Sequence, residues 1–272
     1  MLEQIRTDGY ARVRLNSRET SQLARLYSEA NHFFAASYES KSRHRTDRLT
    51  NGYRPPGAAY NNGDPVNEAD VNDSFLYWNS EHGARIPNHG DIPEFLAALE
   101  RYRSGPVVRV MRNLLDELAE YYEYPKKLPF QEASVLQVNS FGELSSRELL
   151  QTPHEDGVLA TVIWTSAPGL EAVGGDAPVP LITAHDEVLV MPGGIMSVMT
   201  GGDILPLYHQ ARNHAQASVD RKSIMYFSCP DIDKGDVEPY IVNDTNRGVD
   251  VRDAIRGATD AFGLAADFVY DH

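Results

Sequence analysis

Hydrophobic positions in the first part of the chain recur at helical spacing. Asn16 and Glu19 have the spacing of a capping box, and apolar residues follow every three or four positions up to Phe33-Phe34. A second helical stretch runs from Ile92 to Tyr122, where Gly105-Pro106 predicts two helices or a kink. Short strands are predicted at residues 8–15 and 73–78.

From residue 129 the pattern changes to short β-type runs separated by Gly, Pro and Asp. Strands this short and this evenly spaced favour a sandwich or barrel. Because the helices come first, we predict an α+β fold whose core is a double-stranded β-helix (jelly-roll, cupin-like), braced by N-terminal and scaffold helices. The predicted strands are 134–141, 158–165, 169–173, 179–182, 187–191, 195–200, 205–212 and 222–229.

Length and composition favour one domain over residues 1–272. We expect a mainly helical half (1–128), a jelly-roll core (129–230) and a C-terminal helical extension (231–272). At 272 residues and 42% hydrophobic content, the chain can bury a substantial core. It has no long apolar run and no signal-peptide pattern, so we expect a cytoplasmic protein. The single cysteine, Cys229, excludes an internal disulfide.

The net charge of −14 makes nucleic acid and anionic membranes unlikely partners. We expect a small-molecule substrate and a monomer or homodimer. The same charge means that an anionic co-substrate requires a local cationic anchor.

Candidate chemistry is concentrated at His154, Asp156 and His209. If His154 and Asp156 lie on one strand, alternation places both on the same face and Glu155 on the other. With His209 from a distant strand they form two histidines and one carboxylate, the facial triad typical of non-haem Fe(II) oxygenases. A zinc site with three protein ligands is the main alternative. His214 competes for the third position, but its odd offset from His209 favours the opposite face.

Arg221 and Ser223 share one face of a predicted strand. A guanidinium fork and a hydroxyl in this arrangement can hold one carboxylate together. The alternative is an arginine in a surface ion pair.

Several motifs occur in one order at fitting separations, and together they resemble a known family. They are Leu136-Gln137-Val138-Asn139-Ser140-Phe141, Pro153-His154-Glu155-Asp156-Gly157, Pro168-Gly169-Leu170-Glu171 and Arg221-Lys222-Ser223. From Asn139 to Ser223, and more loosely over most of the chain, the sequence is similar to the isopenicillin N synthase-like branch of the Fe(II)/2-oxoglutarate dioxygenases.

The resemblance implies a function and a set of site residues. Fe(II) would be held by His154, Asp156 and His209, and 2-oxoglutarate by Arg221, Ser223 and Asn139. With dioxygen, such an enzyme converts 2-oxoglutarate to succinate and oxidises a C–H bond of a small molecule, by hydroxylation, desaturation or ring closure. Natural-product (secondary) metabolism is a compatible setting.

The sequence also departs from the family pattern. Phe141 stands where many members have a Tyr that binds the distal carboxylate of 2-oxoglutarate, Gln137 replaces a frequent Arg, and Gly194 replaces an Asp. Two alternatives therefore stay open: an Fe(II) oxidase that uses no 2-oxoglutarate, and a non-catalytic metal-binding jelly-roll module. The residues predicted to line the substrate pocket, partly on a flap at 53–60, are Tyr53, Phe75, Tyr77, Trp164 and Tyr208.

Overall fold

The computed structural model describes residues 1–46, 51–56, 72–78, 86–141, 148–213, 221–235 and 237–261. The helices in these ranges are α1 (Leu2–Asp8), α2 (Ser17–Ala35), α3 (Tyr38–Ser42), α4 (Pro93–Tyr102), α5 (Val108–Tyr121), α6 (Gly194–Met199) and α7 (Val251–Ala261). The strands are β1 (Ala11–Arg14), β2 (Gly52–Arg54), β3 (Asp73–Tyr77), β4 (Val135–Phe141), β5 (Leu149–His154), β6 (Ala160–Thr165), β7 (Leu170–Ala172), β8 (Val179–Pro180), β9 (Glu187–Pro192), β10 (His209–Arg212) and β11 (Arg221–Ser228).

Helix α2 begins with the predicted capping box. The Asn16 side chain accepts a hydrogen bond from the Glu19 backbone N–H (3.0 Å), and the Glu19 carboxylate accepts one from the Asn16 backbone N–H (2.9 Å). Glu19 also pairs with Arg109 of α5. Two of the orphan donors at the helix start are thereby satisfied, and the helix is tied to its neighbour.

Helices α4 and α5 are joined at the predicted interruption. Residues Arg103–Val107 form a π-helical turn that contains Pro106. The Pro has no N–H to donate, and a π-bulge is one way in which a helix accommodates that loss. The apolar stripe of α5 is buried beyond the turn.

The strands form two antiparallel sheets. The large sheet has seven strands in the order β1-β9-β6-β11-β4-β3-β2, and the small sheet has four in the order β5-β10-β7-β8. This mixed helix and antiparallel arrangement agrees with the predicted α+β jelly-roll class, although the two sheets are not closed into a barrel.

The two faces of the large sheet differ in what covers them. Directly paired residues of antiparallel strands share a face, so the register defines each side. Phe75, Val138, Ile224 and Trp164 form one row, and Trp164 contacts Tyr27 of α2 with ring centroids 5.4 Å apart. We call this the helix face.

The opposite side of the large sheet is the inner face, and the small sheet approaches it. The inner face carries Arg221, Ser223 and Asn139. A Cβ built on Gly169, just before β7, would lie 3.3 Å from Arg221 Nε. Gly169 has φ +135°, a conformation that side chains rarely adopt, and its lack of a side chain permits the close approach.

Three secondary-structure predictions are wrong. Residues 195–200 are helix α6 rather than a strand, because Ile195, Met196 and Met199 have helical spacing and all three are buried. Strand β5 was not predicted, because the sequence of Leu149–His154 has only two strongly apolar residues. In the structure most of its residues are exposed or only partly buried. In the region predicted as a loop (40–65), the described residues include the end of α3 and strand β2.

Buried apolar residues form one large cluster from Leu2 to Ile255. The predicted division at residues 128 and 230 stays a prediction. In the parts of the chain that the structure describes, no helix has both the length and the apolar character required to cross a membrane.

Candidate active site

His154, Asp156 and His209 lie together, and strand pairing explains why. His154 ends β5, His209 begins β10, and the two are directly paired. Each histidine Nε2 lies 3.8 Å from Asp156 Oδ1, and the two imidazole centroids are 4.4 Å apart. One ligand atom from each residue lies within 4.8 Å of the others, so these three residues could hold one metal ion.

Asp156 reaches this position from a turn and not from a strand. Strand β5 ends at His154, so the expected alternation over residues 154–156 is wrong. The Asp156 backbone carbonyl accepts a hydrogen bond from the Gly194 N–H (2.8 Å), and Thr161 Oγ1 of β6 donates to Asp156 Oδ2. The turn is therefore fixed to the large sheet, and Oδ1 is the carboxylate oxygen that points between the histidines.

Backbone carbonyls orient both imidazoles. Nδ1 of His154 lies 2.7 Å from the Thr152 carbonyl oxygen, and Nδ1 of His209 lies 3.0 Å from that of Leu207. A carbonyl only accepts hydrogen bonds, so each Nδ1 must carry the proton. The Nε2 lone pairs are then available to a metal ion, as in most histidine metal sites.

Burial also favours the neutral form of His209. Desolvation lowers the pKa of this imidazole, and the nearby His154 lowers it further, against the opposite effect of Asp156. The neutral imidazole is the form that binds metal.

Arg221 is a buried cation on the inner face. It is 4% exposed, and burial lowers its pKa to about 10. Its Nη1 donates to Ser223 Oγ (3.2 Å), and its guanidinium lies 4.9 Å from the centroid of the Phe141 ring. Within the described residues no carboxylate pairs with it and its Nε has no hydrogen-bond partner, so the guanidinium retains donors for an anion.

Asn139 lies beside this cation. It pairs directly with Ser223 across β4 and β11 and is 1% exposed. Its Oδ1 accepts a hydrogen bond from Gln137 Nε2 (2.7 Å), which leaves its own amide N–H groups available to a bound molecule.

The predicted substrate residues are not gathered at this site. The rings of Tyr53, Phe75, Tyr77 and Trp164 all lie on the helix face, by the strand register. Phe75 packs against Phe33 and Phe95 with centroids 5.1 and 4.9 Å away.

The other aromatic candidates have their own partners. Tyr53 donates to Asp73 (2.5 Å), and Tyr77 to Glu100 (3.1 Å). Tyr208, in contrast, is not buried: it is 51% exposed, although it directly precedes His209 in the chain. These positions assign the four buried rings to core packing.

The register identifies other residues as the lining of the inner face. Leu76, Gln137, Met225 and Ile163 form one row across four strands. Sequence reasoning missed them because it selected aromatic residues without regard to alternation. Gln137 could have been predicted, because it is two residues before Asn139 on β4 and therefore lies on the same face of the sheet. His214 lies outside the described residues.

Comparison with known proteins places the chain by fold. No model of a protein family matches the sequence, and no curated protein matches it. Among solved structures, T7H from Neurospora crassa in complex with alpha-KG aligns with a TM-score of 0.76 at 14% identity, over 95% of this chain and 88% of that chain. AtDAO1, a dioxygenase for auxin oxidation from Arabidopsis thaliana in complex with 2-oxoglutarate, aligns with a TM-score of 0.68 at 20% identity, over 89% and 93%.

A third structure, JOX2 in complex with 2OG, Fe and JA, aligns with a TM-score of 0.66 at 17% identity, over 84% of this chain and 69% of that chain. The chain therefore has the fold of the 2-oxoglutarate- and iron-dependent oxygenases, as the sequence resemblance implied. The narrower likeness to the isopenicillin N synthase branch stays a prediction.

Proposed function

We propose that this protein is an Fe(II)/2-oxoglutarate-dependent oxygenase that oxidises a C–H bond of a small molecule. The observation that carries the proposal is the pairing of two features across the inner face. One is a triad whose Nε2 and Oδ1 atoms converge, and the other is the buried Arg221, which has no carboxylate partner among the described residues. 2-Oxoglutarate has a carboxylate at each end. One end would chelate the metal ion at the triad, and the carboxylate at the other end would bind Arg221.

The donor set fits iron. Two neutral imidazoles and one carboxylate on one side of an ion are the facial triad of non-haem Fe(II) oxygenases. When bound, iron and 2-oxoglutarate together supply the oxidising power, with dioxygen as oxidant and succinate and carbon dioxide as products.

The chain's own residues bind and orient. His154, Asp156 and His209 hold the metal, and the backbone and Thr161 keep their donor atoms aimed inward. Arg221 and Ser223 bind the distal carboxylate of 2-oxoglutarate by charge-assisted hydrogen bonds. Asn139 donates an amide N–H to the co-substrate, and burial keeps water away from these contacts.

Succinate production tests the proposal. Protein purified without oxygen and loaded with Fe(II) should convert 2-oxoglutarate to succinate when air is admitted, measured by NMR. His209→Ala should abolish the conversion, and Arg221→Gln should reduce affinity for 2-oxoglutarate by roughly a hundredfold. His185→Ala is the matched control, since His185 has an 86% exposed side chain away from the triad. No succinate from the wild-type protein, in the presence of bound Fe(II), would contradict the proposal.

An oxidase that takes all its electrons from the substrate is the second candidate. Phe141 favours it, because its ring lies beside Arg221 where many 2-oxoglutarate enzymes provide a Tyr hydroxyl. Arg221, Ser223 and Asn139 favour the first candidate. The oxidase would bind Fe(II) and oxidise its substrate without consuming 2-oxoglutarate, whereas a non-catalytic module would turn over neither a substrate nor 2-oxoglutarate.

A small molecule is the proposed substrate. T7H was crystallised with thymine and with 5-formyluracil, so a structure of similar fold binds small molecules. A monomeric or dimeric state, a cytoplasmic location and a role in natural-product metabolism stay predictions.

A further inference from the structure

Phe141 lies directly against the buried arginine of the proposed co-substrate site. It is the last residue of β4 and pairs with Arg221, the first residue of β11. Directly paired residues of antiparallel strands have neighbouring side chains on one face. Here the guanidinium carbon of Arg221 lies over the Phe141 ring, 4.9 Å from its centroid. The two residues are 4% and 5% exposed, so water screens little of this contact.

Few other contacts in the described part of the chain fix this guanidinium. Its Nη1 donates a hydrogen bond to Ser223 Oγ (3.2 Å), and its Nε has no hydrogen-bond partner there. One hydrogen bond leaves the planar group free to rotate about it, and the rotamer freedom of an arginine must be lost when a ligand binds. The Phe141 ring is therefore the contact that can set the plane of the guanidinium fork.

The Phe141 ring is itself held by the small sheet. Phe141, Leu150 and Ala211 are buried and form an apolar cluster that is separate from the main core. Leu150 belongs to β5 and Ala211 to β10, the two strands that carry the histidines of the triad. A ring packed in this way has a fixed position, and its face is turned to Arg221.

An aromatic face suits this task better than a polar partner does. The negative face of the ring attracts the cation, and the attraction is stronger where water is excluded. A carboxylate in the same place would hold the arginine by occupying its N–H groups, which a bound anion then could not use. The ring occupies none of them, so Arg221 is held and its donors stay available.

We propose that Phe141 is a positioning residue for the co-substrate: its ring holds the Arg221 guanidinium in the orientation that receives the distal carboxylate of 2-oxoglutarate. The inference rests on the proposed function, because it concerns the anchor of the same co-substrate. It gives Phe141 a role in 2-oxoglutarate binding that requires no hydroxyl.

The order of the guanidinium in the ligand-free protein is the first test. In protein containing isotope-labelled arginine, the Nε–H signal of Arg221 is the one that disappears in Arg221→Gln. Its heteronuclear NOE measures motion on the picosecond to nanosecond timescale. The group should be rigid in the wild-type protein and in Phe141→Tyr, which retains the ring, and mobile in Phe141→Leu.

The affinity for 2-oxoglutarate is the second test, measured by isothermal titration on protein that holds Mn(II). Phe141→Leu should bind 2-oxoglutarate about five- to thirtyfold more weakly than the wild type, as expected for a buried cation–π contact. Its affinity for Mn(II) should be unchanged, which also shows that the variant is folded. Phe141→Tyr should bind 2-oxoglutarate at least as tightly as the wild type. In an Arg221→Gln background, Phe141→Leu should have no further effect, because the group that the ring orients is gone.

Phe95→Leu is the matched control, since it makes the same replacement in the main core. Phe95 is 3% exposed and packs against Phe33 and Phe75, with both pairs of ring centroids 4.9 Å apart. This variant should lower stability and leave the affinity for 2-oxoglutarate unchanged.

Two results would overturn the inference. One is an Arg221 signal that stays rigid in Phe141→Leu, and the other is a loss of affinity of equal size in the wild-type and Arg221→Gln backgrounds. Failure of the proposed function gives a different result. A wild-type protein that holds Mn(II) and binds no 2-oxoglutarate, with a guanidinium that becomes mobile in Phe141→Leu, would refute the oxygenase and retain the hold of Phe141 on Arg221.

Discussion

Thr161 connects the metal ligands to the large sheet. Its hydroxyl donates to Asp156 Oδ2, and both residues are buried. A hydrogen bond of this kind fixes which carboxylate oxygen faces the metal. The residue is unremarkable in sequence, and only the structure identifies its role.

Replacing Thr161 should therefore weaken metal binding more than it weakens the fold. Thr161→Val should reduce the affinity for Mn(II) or Fe(II) by about ten- to a hundredfold, because the carboxylate loses its orienting donor. A competition assay with a chelating dye measures the affinity. Thr161→Ser retains the hydroxyl and should bind nearly as the wild type does. Equal affinities in the Val and Ser variants would show that the hydroxyl has no such role.

Arg221 illustrates a conflict between stability and binding. Burial lowers its pKa to about 10, well below the ordinary value for an arginine, which corresponds to a cost of about 3 kcal/mol for keeping the charge in the folded state. Below pH 10 the arginine is protonated in both folded and unfolded chains, so the full cost applies throughout the physiological range. Above that pH the cost falls as the folded form loses its proton.

Arg221→Met should raise the free energy of unfolding of the ligand-free protein by about 2 kcal/mol, since it removes an uncompensated buried charge. The gain should be the same at pH 7 and pH 9, as measured by urea denaturation. The variant should also lose stabilisation by added 2-oxoglutarate. A destabilised variant would mean that a partner compensates the charge.

At the scale of elements, the turn before α6 determines where Asp156 lies. A Cβ on Gly193 would overlap the backbone carbonyl oxygens of Val158 and Asp156. Gly194 donates its N–H to the same Asp156 carbonyl, and its missing side chain leaves room for the Glu155 carboxylate. The Gly-Gly pair is therefore a packing requirement of the metal site.

Gly193→Ala should displace the Asp156 turn, because backbone atoms cannot move aside as a flexible side chain would. We expect metal affinity to fall by at least about tenfold and stability to fall by about 1–3 kcal/mol. Isothermal titration with Mn(II) and urea denaturation measure the two effects. Gly175→Ala is the control, since a Cβ there meets nothing within 4 Å. Wild-type metal binding in Gly193→Ala would rule out this account of the turn.

The elements that sequence predicted well have a local cause. The capping box of Asn16 and Glu19 and the break at Pro106 depend on neighbours within one turn of helix. Strand β5 and helix α6 were missed because their hydrophobic signals are short and their conformations are set by tertiary contacts.

The predicted site residues show the same contrast between local pattern and tertiary structure. His154, Asp156, His209, Arg221 and Ser223 were found by spacing, and the structure brings the first three within reach of one ion. The aromatic candidates Tyr53, Phe75, Tyr77 and Trp164 were selected by residue type, which does not specify a face. Strand register specifies the face, and register was not deducible from the single sequence.

At the scale of the whole molecule, the site joins two sheets. The histidines belong to the small sheet, whereas Thr161, Arg221 and Asn139 belong to the large one. A ligand that contacts both sheets binds the folded chain and not the unfolded one, so it must stabilise the fold.

Mn(II) and 2-oxoglutarate should therefore stabilise the protein together more than the sum of their separate effects. At a hundred times its dissociation constant, 2-oxoglutarate should add about 2.7 kcal/mol in the presence of Mn(II), measured by thermal and urea denaturation. By linkage, each should raise the affinity for the other by the same factor. Adding a chelator should remove both contributions. Strictly additive effects would indicate two independent sites.

The strict register of β4 and β11 also limits how this protein could evolve. Insertion of one residue within β11 would rotate the remaining side chains by half a turn, sending hydrocarbon side chains to the inner face and polar groups against the helices. Substitutions leave each side chain of the strand on its original face, whereas insertions and deletions within the strand move side chains to the opposite face. Homologues with new specificities should therefore differ in side-chain identity along these strands, and any gain or loss of residues should be confined to the connecting segments.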